Sequence, residues 1–251
     1  MITLQSKNVF VTGGSRGIGK ACVELFLKAG ANVAFTFQSA KEEAEKIITG
    51  YSGSSKLKCY QVALSDADAL EKSVASVLKD FERIDVIVNN AGIWKEAAID
   101  EMTIEQWNEM ININLTSVYL ITKFSVPGMK KNKFGRIINI ASTAGQRGEA
   151  FHSHYAASKG GMISLTKSLA SELGDFNITV NCVAPGWVIT DMTTDSLNDV
   201  NTLNKVKSDI PLNKIAQPEE IAGPVLFLAS SLASHINGEI LNVNGGSVLC
   251  G

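Results

Sequence analysis

Short apolar runs alternate with longer amphipathic stretches along the chain. Runs such as Asn8–Val11, Asn32–Phe37 and Arg136–Ala141 show little polar alternation, which is typical of strands covered by helices on both faces of a parallel sheet. Stretches with helical periodicity, including Gly17–Ala29 and Ala67–Phe81, separate these runs. The pattern predicts an α/β, Rossmann-type fold, a doubly wound parallel sheet with helices on both faces.

The alternation continues to the end of the chain. Further strands are predicted at Leu57–Val62, Ile84–Val88, Thr179–Val183 and Ile240–Val243, and further helices at Lys41–Ile48, Thr103–Lys131, Tyr155–Leu173 and from Pro218 onward. Because no Pro/Gly/Ser-rich linker, repeat or low-complexity tract interrupts the pattern, we expect a single domain over residues 1–251. Thr190–Ile210 is the least regular segment, and we expect it to form a mobile substrate loop or lid.

Composition and charge exclude several classes of protein. The 251 residues include 45% hydrophobic residues and carry a formal net charge of −2, so neither disorder nor binding to nucleic acid or an anionic membrane is favoured. The segment MITLQSKN lacks a basic stretch followed by a long apolar one, and we therefore expect no leader peptide and a cytoplasmic protein. The apolar stretch Ile221–Ala233 is too short to span a bilayer and is expected to be a core helix.

Residues that commonly bind metals are scattered along the chain. The cysteines are Cys22, Cys59, Cys182 and Cys250. They form no CxxC pair, and the histidines lack metal-ligand spacing, so we predict buried thiols and no metal site.

The tryptophans and two of the histidines have structural interpretations. Trp94, Trp107 and Trp187 are expected in the core or in a pocket wall, and Trp187, which follows a Pro-Gly pair, is a candidate for shaping a substrate site. His152 and His154, close to Tyr155, are expected at the edge of the same pocket.

A glycine cluster follows the first strand. The segment TGGSRGIG at 12–19 places glycines at 13, 17 and 19 directly before a helix. Glycines permit a tight turn and close approach to a pyrophosphate, and the helix N-terminus attracts anions. An ordinary strand-to-helix turn would also use glycines, but the position at the first βα junction favours a nucleotide site.

The residues after the second strand indicate which nucleotide binds. An NAD site places a carboxylate there to bind the ribose 2′-hydroxyl, whereas this chain has Phe37, Gln38 and Ser39. Arg16 in the glycine loop can bind a 2′-phosphate, with Ser39 as a second donor. NADP is therefore the expected cofactor, and the alternative for Arg16 is a solvated loop charge.

Tyr155 and Lys159 stand four residues apart in YAASK. On a helix the two side chains share one face, so the ammonium is expected to lie beneath the phenol and lower its pKa toward neutral pH. Ser142, at the end of the strand before this helix, can hold the same substrate oxygen. A surface tyrosine beside a solvated lysine is the alternative for this pair taken alone.

These motifs together resemble the short-chain dehydrogenase/reductases. They are TGGSRGIG at 12–19, NNAG at 89–92, Asn114 in ININL, Ser142 in NIAS, YAASK at 155–159 and PGWVITDM at 185–192. The resemblance covers almost the whole chain and is greatest to the 3-oxoacyl-acyl-carrier-protein reductase branch. It implies that Tyr155 is the general acid, that Lys159 binds the nicotinamide ribose, that Ser142 binds the carbonyl oxygen and that Asn114 holds a relay water.

The glycine loop and the resemblance together give a set of expected cofactor-binding residues. They are Gly13, Ser15, Arg16, Gly17, Ile18, Gly19, Ser39, Leu64, Asn89, Ala91, Gly92, Tyr155, Lys159, Pro185, Gly186, Val188 and Thr190. Leu64 stands beside Ala63 where many relatives have an adenine-binding Asp, so main-chain contacts are expected there. Trp94–Lys95–Glu96 replaces the Thr-Arg-Asp that often follows the NNAGI motif of that branch.

The resemblance also implies the substrate and the assembly. It implies NADPH-dependent reduction of 3-oxoacyl thioesters, on acyl-carrier protein or coenzyme A, in fatty acid biosynthesis. The basic group Lys130, Lys131, Lys133 and Arg136 is expected to dock an acidic carrier protein, with Phe176 in place of a second basic anchor. A homotetramer is expected, and the apolar tail Val248–Gly251 is compatible with it.

Two alternatives remain open at this point. One is an NADP-dependent dehydrogenase of another secondary alcohol or ketone, such as a sugar or a xenobiotic carbonyl. The other is a nucleotide-sensing module without turnover, but binding alone needs no phenolic proton donor such as Tyr155.

Overall fold

A seven-stranded parallel sheet forms the centre of the computed structural model, which describes residues 2–249. The strands are β1 Asn8–Val11, β2 Asn32–Phe37, β3 Leu57–Gln61, β4 Val86–Asn89, β5 Gly135–Ile140, β6 Ile178–Pro185 and β7 Ile240–Val243. Their order in the sheet is β3-β2-β1-β4-β5-β6-β7. The strand order reverses between β1 and β4, where ligands bind at the carboxyl ends of the strands in such sheets. The predicted fold class is confirmed.

Helices cover both faces of the sheet. They are α1 Gly17–Lys28, α2 Lys41–Gly50, α3 Ala67–Phe81, α4 Ile104–Ile111, α5 Ser117–Asn132, α6 Ala144–Arg147, α7 Ser153–Leu173, α8 Asp191–Asn198, α9 Val200–Ser208 and α10 Pro218–Ala229. Capping explains several of their first residues. The Asp66 carboxylate accepts hydrogen bonds from the backbone N–H groups of Asp68 and Ala69 and starts α3. Thr103 and Gln106 form a capping box that starts α4.

Alternate residues of each strand point to opposite faces of the sheet. An apolar layer therefore forms on each face and packs against the helices there. On one face Val9 and Val11 pack with residues of α1 and α10, including Phe26 and Val225. On the other face Phe10, Ile87 and Ile137 pack against α3, α5 and α7. Ile221, Ala222 and Val225 are fully buried in α10, which confirms the expected core helix. No helix within residues 2–249 is long and apolar enough to cross a membrane.

Two sequence expectations differ from the observed elements. The predicted long helix from Thr103 to Lys131 is interrupted by a π-helical turn at Asn112–Thr116, between α4 and α5. The segment Thr190–Ile210, expected to be the least regular, contains α8 and α9, so this prediction was wrong. Its polar composition reflects the exposure of both helices. Val206 and Ile210 are buried, but most other positions of the segment are open to solvent.

The cysteines are partly as expected. Cys22 and Cys182 are buried, whereas Cys59 is half-buried on the outer strand β3. Cys250, like the end of the apolar tail that begins at Val248, lies outside the described residues. Within residues 2–249 the His, Cys, Asp and Glu side chains form no group of three or more that would hold a metal ion.

Candidate active site

The glycine loop between β1 and α1 lies at the switch point of the sheet and lines the principal cleft. Gly13 and Gly17 adopt positive φ angles of 64° and 53°, which are costly for other residues. The Gly13 and Gly14 N–H groups donate to the Thr36 hydroxyl at 3.1 Å and to its carbonyl at 2.8 Å. A Cβ on Gly19 would lie 2.0 Å from the Gly13 oxygen, so α1 packs directly against the loop.

The start of α1 is suited to an anion. Its first turn, which begins at Gly17, contains no acidic residue, and Ser15, Arg16, Gly17 and Ile18 line the cleft. Free N–H groups and the positive end of the helix dipole attract phosphate at such a position. The residues present therefore fit the pyrophosphate of a dinucleotide.

The outer end of the cleft is exposed and carries no carboxylate from β2. Phe37 is buried, whereas Gln38 and Ser39 are exposed, and all three line the cleft. The Arg16 guanidinium, with a side chain 61% exposed, lies 3.5 Å from the Asp191 carboxylate. Arg16 and Ser39 fit a 2′-phosphate at this end.

The two asparagines that follow β4 have different positions. Asn89, expected to contact ribose, is 1% exposed and donates its amide to Asn139 Oδ1 at 2.8 Å, so the structure does not place its side chain in the cleft. Its register partner in the parallel sheet is Asn139, which explains why the two amides pair. Asn90 lines the cleft and donates its amide to the carbonyls of Thr12 and Gly13. Sequence reasoning quoted Asn90 within NNAG but did not single it out.

The π-helical turn between α4 and α5 positions Asn114. Its side chain is fully buried and forms two bonds to the backbone of Ile93, accepting from N–H at 2.8 Å and donating to the carbonyl at 2.9 Å. It also lies 3.3 Å from the Ser158 hydroxyl. Asn114 thus anchors the loop after β4 to α7, and π turns commonly occur at functional sites.

Tyr155, Lys159 and Ser142 meet at the centre of the cleft. Tyr155 and Lys159 share one face of α7, as predicted, and the Lys159 ammonium lies 5.8 Å from the centroid of the Tyr155 ring. The ammonium donates to the Ile140 carbonyl at 2.7 Å. Ser142, after β5, forms a hydrogen bond with the Tyr155 phenol and accepts one from the Ala144 N–H.

The pKa of Tyr155 is shifted in the direction opposite to the expectation. Burial raises the pKa of the phenol to about 12, the hydrogen bond with Ser142 opposes this, and the nearby Glu149 carboxylate adds to it. Burial also lowers the pKa of Lys159 to about 8. The Lys159 ammonium donates its hydrogen bond to the Ile140 carbonyl. Desolvation of the phenol is therefore the largest influence on the pKa of Tyr155. In this structure Tyr155 is therefore a protonated donor at neutral pH.

The segment after β6 forms the opposite wall of the cleft. Val188 pairs with Ala216 in an isolated parallel bridge, which joins this segment to the residues that precede α10. Thr190 caps α8, and a Cβ on Gly17 would lie 3.2 Å from its methyl group. The wall and the glycine loop are therefore in close contact, and α8 begins where they meet.

Most of the predicted site residues share this one cleft. It is lined by Gly13, Ser15, Arg16, Gly17, Ile18, Ser39, Leu64, Ala91, Gly92, Ser142, Tyr155, Lys159, Pro185, Gly186, Val188 and Thr190. Gly19, Asn89 and Asn114 lie behind its surface. A Cβ on Gly92 would lie 3.0 Å from Asn114 Oδ1 and 3.6 Å from the Lys159 ammonium, so glycine keeps the space beside Lys159 open to a cofactor.

Comparisons with known proteins agree with this geometry. The family model described as enoyl-(acyl carrier protein) reductase matches residues 13–247. The solved structure of a short-chain dehydrogenase/reductase of the glucose/ribitol dehydrogenase type from Brucella melitensis has a TM-score of 0.92 and 32% identity, with 100% of each chain covered. The chain belongs to the short-chain dehydrogenase/reductase family.

Several characterised members of the short-chain dehydrogenase/reductase family are similar over nearly their whole length. The 3-oxoacyl-[acyl-carrier-protein] reductase of Aquifex aeolicus is 40% identical, with 98% of each chain covered. That of Chlamydia trachomatis is 42% identical, over 97% of this chain and 98% of its own. A candidate NAD(P)-dependent gluconate 5-dehydrogenase from Beutenbergia cavernae, solved with NADP bound at low occupancy, is 33% identical with a TM-score of 0.91 and 98% of each chain covered.

Membership of the short-chain dehydrogenase/reductase family makes the protein an oxidoreductase with a nicotinamide cofactor. Sequence reasoning did not single out Arg147 and Glu149, which line the cleft of this family member. Arg147 is the last residue of the short helix α6 and Glu149 follows it in a loop, and no periodic pattern in the sequence indicates where such side chains point.

The basic group expected to dock a carrier protein is smaller than predicted. Arg136 is 4% exposed, and its guanidinium donates to the carbonyls of Gly135 and Asn177, so including it was wrong. Its position on β5 explains the burial. Lys131 and Lys133 are exposed, and the Lys130 ammonium lies 4.7 Å from the centroid of the Phe176 ring.

The aromatic residues divide between the cleft and the surface. Trp94 and Trp187 line the cleft, as expected, whereas Trp107 is 36% exposed on α4, so its placement in the core or a pocket wall was wrong. His152 stacks on Trp94 at the pocket edge. His154 is buried, with only 1% of its surface exposed.

Proposed function

We propose that this protein catalyses the NADPH-dependent reduction of 3-oxoacyl thioesters on acyl-carrier protein to 3-hydroxyacyl thioesters, in fatty acid biosynthesis. The observation that carries the proposal is the meeting of the half-buried Tyr155 with Ser142 and Lys159 in one cleft, in a chain about 40% identical to reductases of that name. A protonated phenol is the form that a general acid needs for reduction of a carbonyl group.

The residues of the chain supply the proton and the orientation. The Tyr155 hydroxyl donates its proton to the substrate oxygen as charge develops on it, and the Ser142 hydroxyl hydrogen-bonds the same oxygen. Lys159 and Gly92 would hold the nicotinamide ribose. When bound, the reduced nicotinamide supplies the hydride. The proposed role of Asn114 in holding a relay water stays a prediction, and its bonds to Ile93 support a positioning role.

The preference for NADPH rests on the outer end of the cleft. The Arg16 side chain is exposed and, like Ser39, lines the cleft, and residues 37–39 include no acidic side chain that would repel a 2′-phosphate. The cofactor-binding residues predicted from the sequence are proposed to hold NADP, except that Asn89 acts by pairing with Asn139 in the sheet. Asn90, which lines the cleft, joins them.

Assembly and location complete the proposal. A homotetramer is part of the proposal, and light scattering coupled to gel filtration would measure it. The single domain and the cytoplasmic location stay predictions.

The deciding experiment compares substrates under one set of conditions. NADPH consumption is followed with acetoacetyl-acyl-carrier protein, acetoacetyl-coenzyme A and a panel of free ketones that includes a keto sugar. We expect the carrier thioester to have the highest kcat/KM. Activity on free ketones with neither thioester reduced would contradict the proposal and favour a dehydrogenase of another alcohol.

A further inference from the structure

Three aromatic rings that the proposed mechanism does not use stand at the substrate end of the cleft. The indole of Trp94 stacks on the imidazole of His152, with centroids 4.5 Å apart and planes within 3° of parallel. The indole of Trp187 meets that of Trp94 edge-on, with centroids 5.9 Å apart and planes at 80°. Both indoles line the same cleft as Ser142 and Tyr155.

The Trp94 ring is supported from behind. His152 is 8% exposed, and its Nδ1 lies 3.0 Å from the Ala150 carbonyl, which fixes the imidazole in place. The Ala97 N–H donates to the Phe151 carbonyl at 2.8 Å and joins the loop that carries Trp94 to the loop that carries His152. The indole therefore has a buried ring at its back and little freedom to move away from the cleft.

The contact between the two indoles leaves no passage between them. A polymethylene chain touches a ring surface at about 3.5 to 4 Å, so two rings on opposite sides of such a chain stand about 7 to 8 Å apart. The observed centroid separation is 5.9 Å, which is the separation of rings in direct contact. The Trp94–Trp187 pair is a closed wall.

The chemistry of the substrate places one of its arms against this wall. The reacting carbonyl of a 3-oxoacyl thioester lies between a thioester arm, which must reach solvent and the carrier, and an alkyl tail, which must be accommodated inside. Met192 on α8 lines the cleft and is 45% exposed, so the thioester arm can leave past α8. With the thioester arm on that side, the alkyl tail is left with the part of the cleft that the two indoles line.

We propose that the Trp94–Trp187 pair, supported by His152, ends the acyl subsite and restricts this enzyme to short-chain 3-oxoacyl thioesters. The proposal rests on the proposed function and adds the substrate class within it. Trp94 and Trp187 are specificity-determining residues, and His152 is a positioning residue that acts through Trp94.

The test measures kcat/KM for acetoacetyl, 3-oxohexanoyl and 3-oxododecanoyl thioesters on the same carrier, with the wild-type protein and with Trp94→Ala, Trp187→Ala and His152→Ala. The wild-type protein should prefer acetoacetyl over 3-oxododecanoyl by at least about tenfold, which is the discrimination that a few methylenes produce in an apolar pocket. Trp94→Ala should raise kcat/KM for 3-oxododecanoyl by about tenfold while KM for NADPH stays unchanged. His152→Phe preserves the stack and should behave as wild type, whereas His152→Ala should partly open the subsite.

Each outcome has one consequence. Retained acetoacetyl reduction in Trp94→Ala shows that the variant is folded, and Trp107→Ala, a matched change outside the cleft, should leave the chain-length profile unchanged. Equal wild-type activity on all three chain lengths, or an unchanged ratio in both tryptophan variants, would overturn the inference and leave the proposed function intact. Failure of the wild-type protein to reduce any thioester would instead overturn the proposed function.

Discussion

Two cations that line the cleft have contrasting surroundings, one at its buried end and the other at its exposed end. Lys159 is 4% exposed, its ammonium donates to the Ile140 carbonyl at 2.7 Å, and burial lowers its pKa to about 8. Arg16 has a side chain 61% exposed and one ion-pair partner, Asp191, at 3.5 Å. The first is buried and hydrogen-bonded, and the second is exposed to solvent, which screens its charge.

This contrast separates catalysis from selectivity. At the buried end, desolvation sets the protonation states of Tyr155 and Lys159, so a single substitution changes chemistry and stability together. At the exposed end, a charge can be gained or lost with little effect on folding, so a substitution changes mainly which cofactor is preferred. Substitutions at the buried end should therefore have larger effects than substitutions at the exposed end.

Removing the proposed phenolic proton donor should have the largest effect. We expect Tyr155→Phe to lower kcat by about 10³-fold, because the general acid is lost, while the Kd for NADPH stays within a factor of about two because the ring remains. Steady-state kinetics and cofactor titration measure the two quantities. Tyr119→Phe, at a half-exposed position on α5 outside the cleft, is the matched control, and substantial turnover in Tyr155→Phe would refute the mechanism.

The buried ammonium should make stability depend on pH. The folded pKa of Lys159 is about 8, below its ordinary value of 10.5, so between these values the unfolded chain binds the proton more strongly. The free energy of unfolding should therefore rise by about 2 kcal/mol from roughly pH 7.5 to 9.5 relative to Lys159→Met. Urea unfolding of both proteins across that range measures the difference, and parallel pH profiles would show that Lys159 is not desolvated.

At the exposed end, loss of the guanidinium should affect one cofactor. Arg16→Ala should weaken NADPH binding by about tenfold, because a charge-assisted phosphate bond is lost, and should leave NADH binding unchanged. Fluorescence titration with both cofactors measures this, with Lys28→Ala at the far end of α1 as control. Equal weakening for both cofactors would mean that Arg16 shapes the loop and does not read the phosphate.

The smallest effect is expected from the partner of Arg16. Asp191→Asn removes the carboxylate that competes for the guanidinium, so NADPH affinity should rise by about threefold, in keeping with the small energy of an exposed ion pair. The gain should disappear at high salt. A decrease in NADPH affinity would indicate that Asp191 orients Arg16 for the phosphate.

Local sequence patterns predicted the bounds of several strands and helices. The bounds of β1, β2, α3 and β7 agree with the prediction to the residue, because apolar runs and the Asp66 cap act over a few positions. The glycine loop was also predictable, since its turn needs glycine at fixed positions. In Thr190–Ile210 the polar composition was misleading, because exposed helices and loops share it.

Side-chain direction and solvation required the tertiary structure. Asn89 and Asn90 are adjacent and identical in type, yet the end of a parallel ladder turns one into the sheet and the other onto the glycine loop. Arg136 belongs to a basic stretch of the sequence, but β5 buries it.

The sequence by itself determined the alternation of strands and helices, the glycine loop and the shared helical face of Tyr155 and Lys159, because each depends on neighbours within a few residues. The tertiary structure alone decided the pKa of Tyr155 and the contact between Trp94 and Trp187. Burial, and contact between rings far apart in sequence, depend on the packing of segments that are brought together by the sheet.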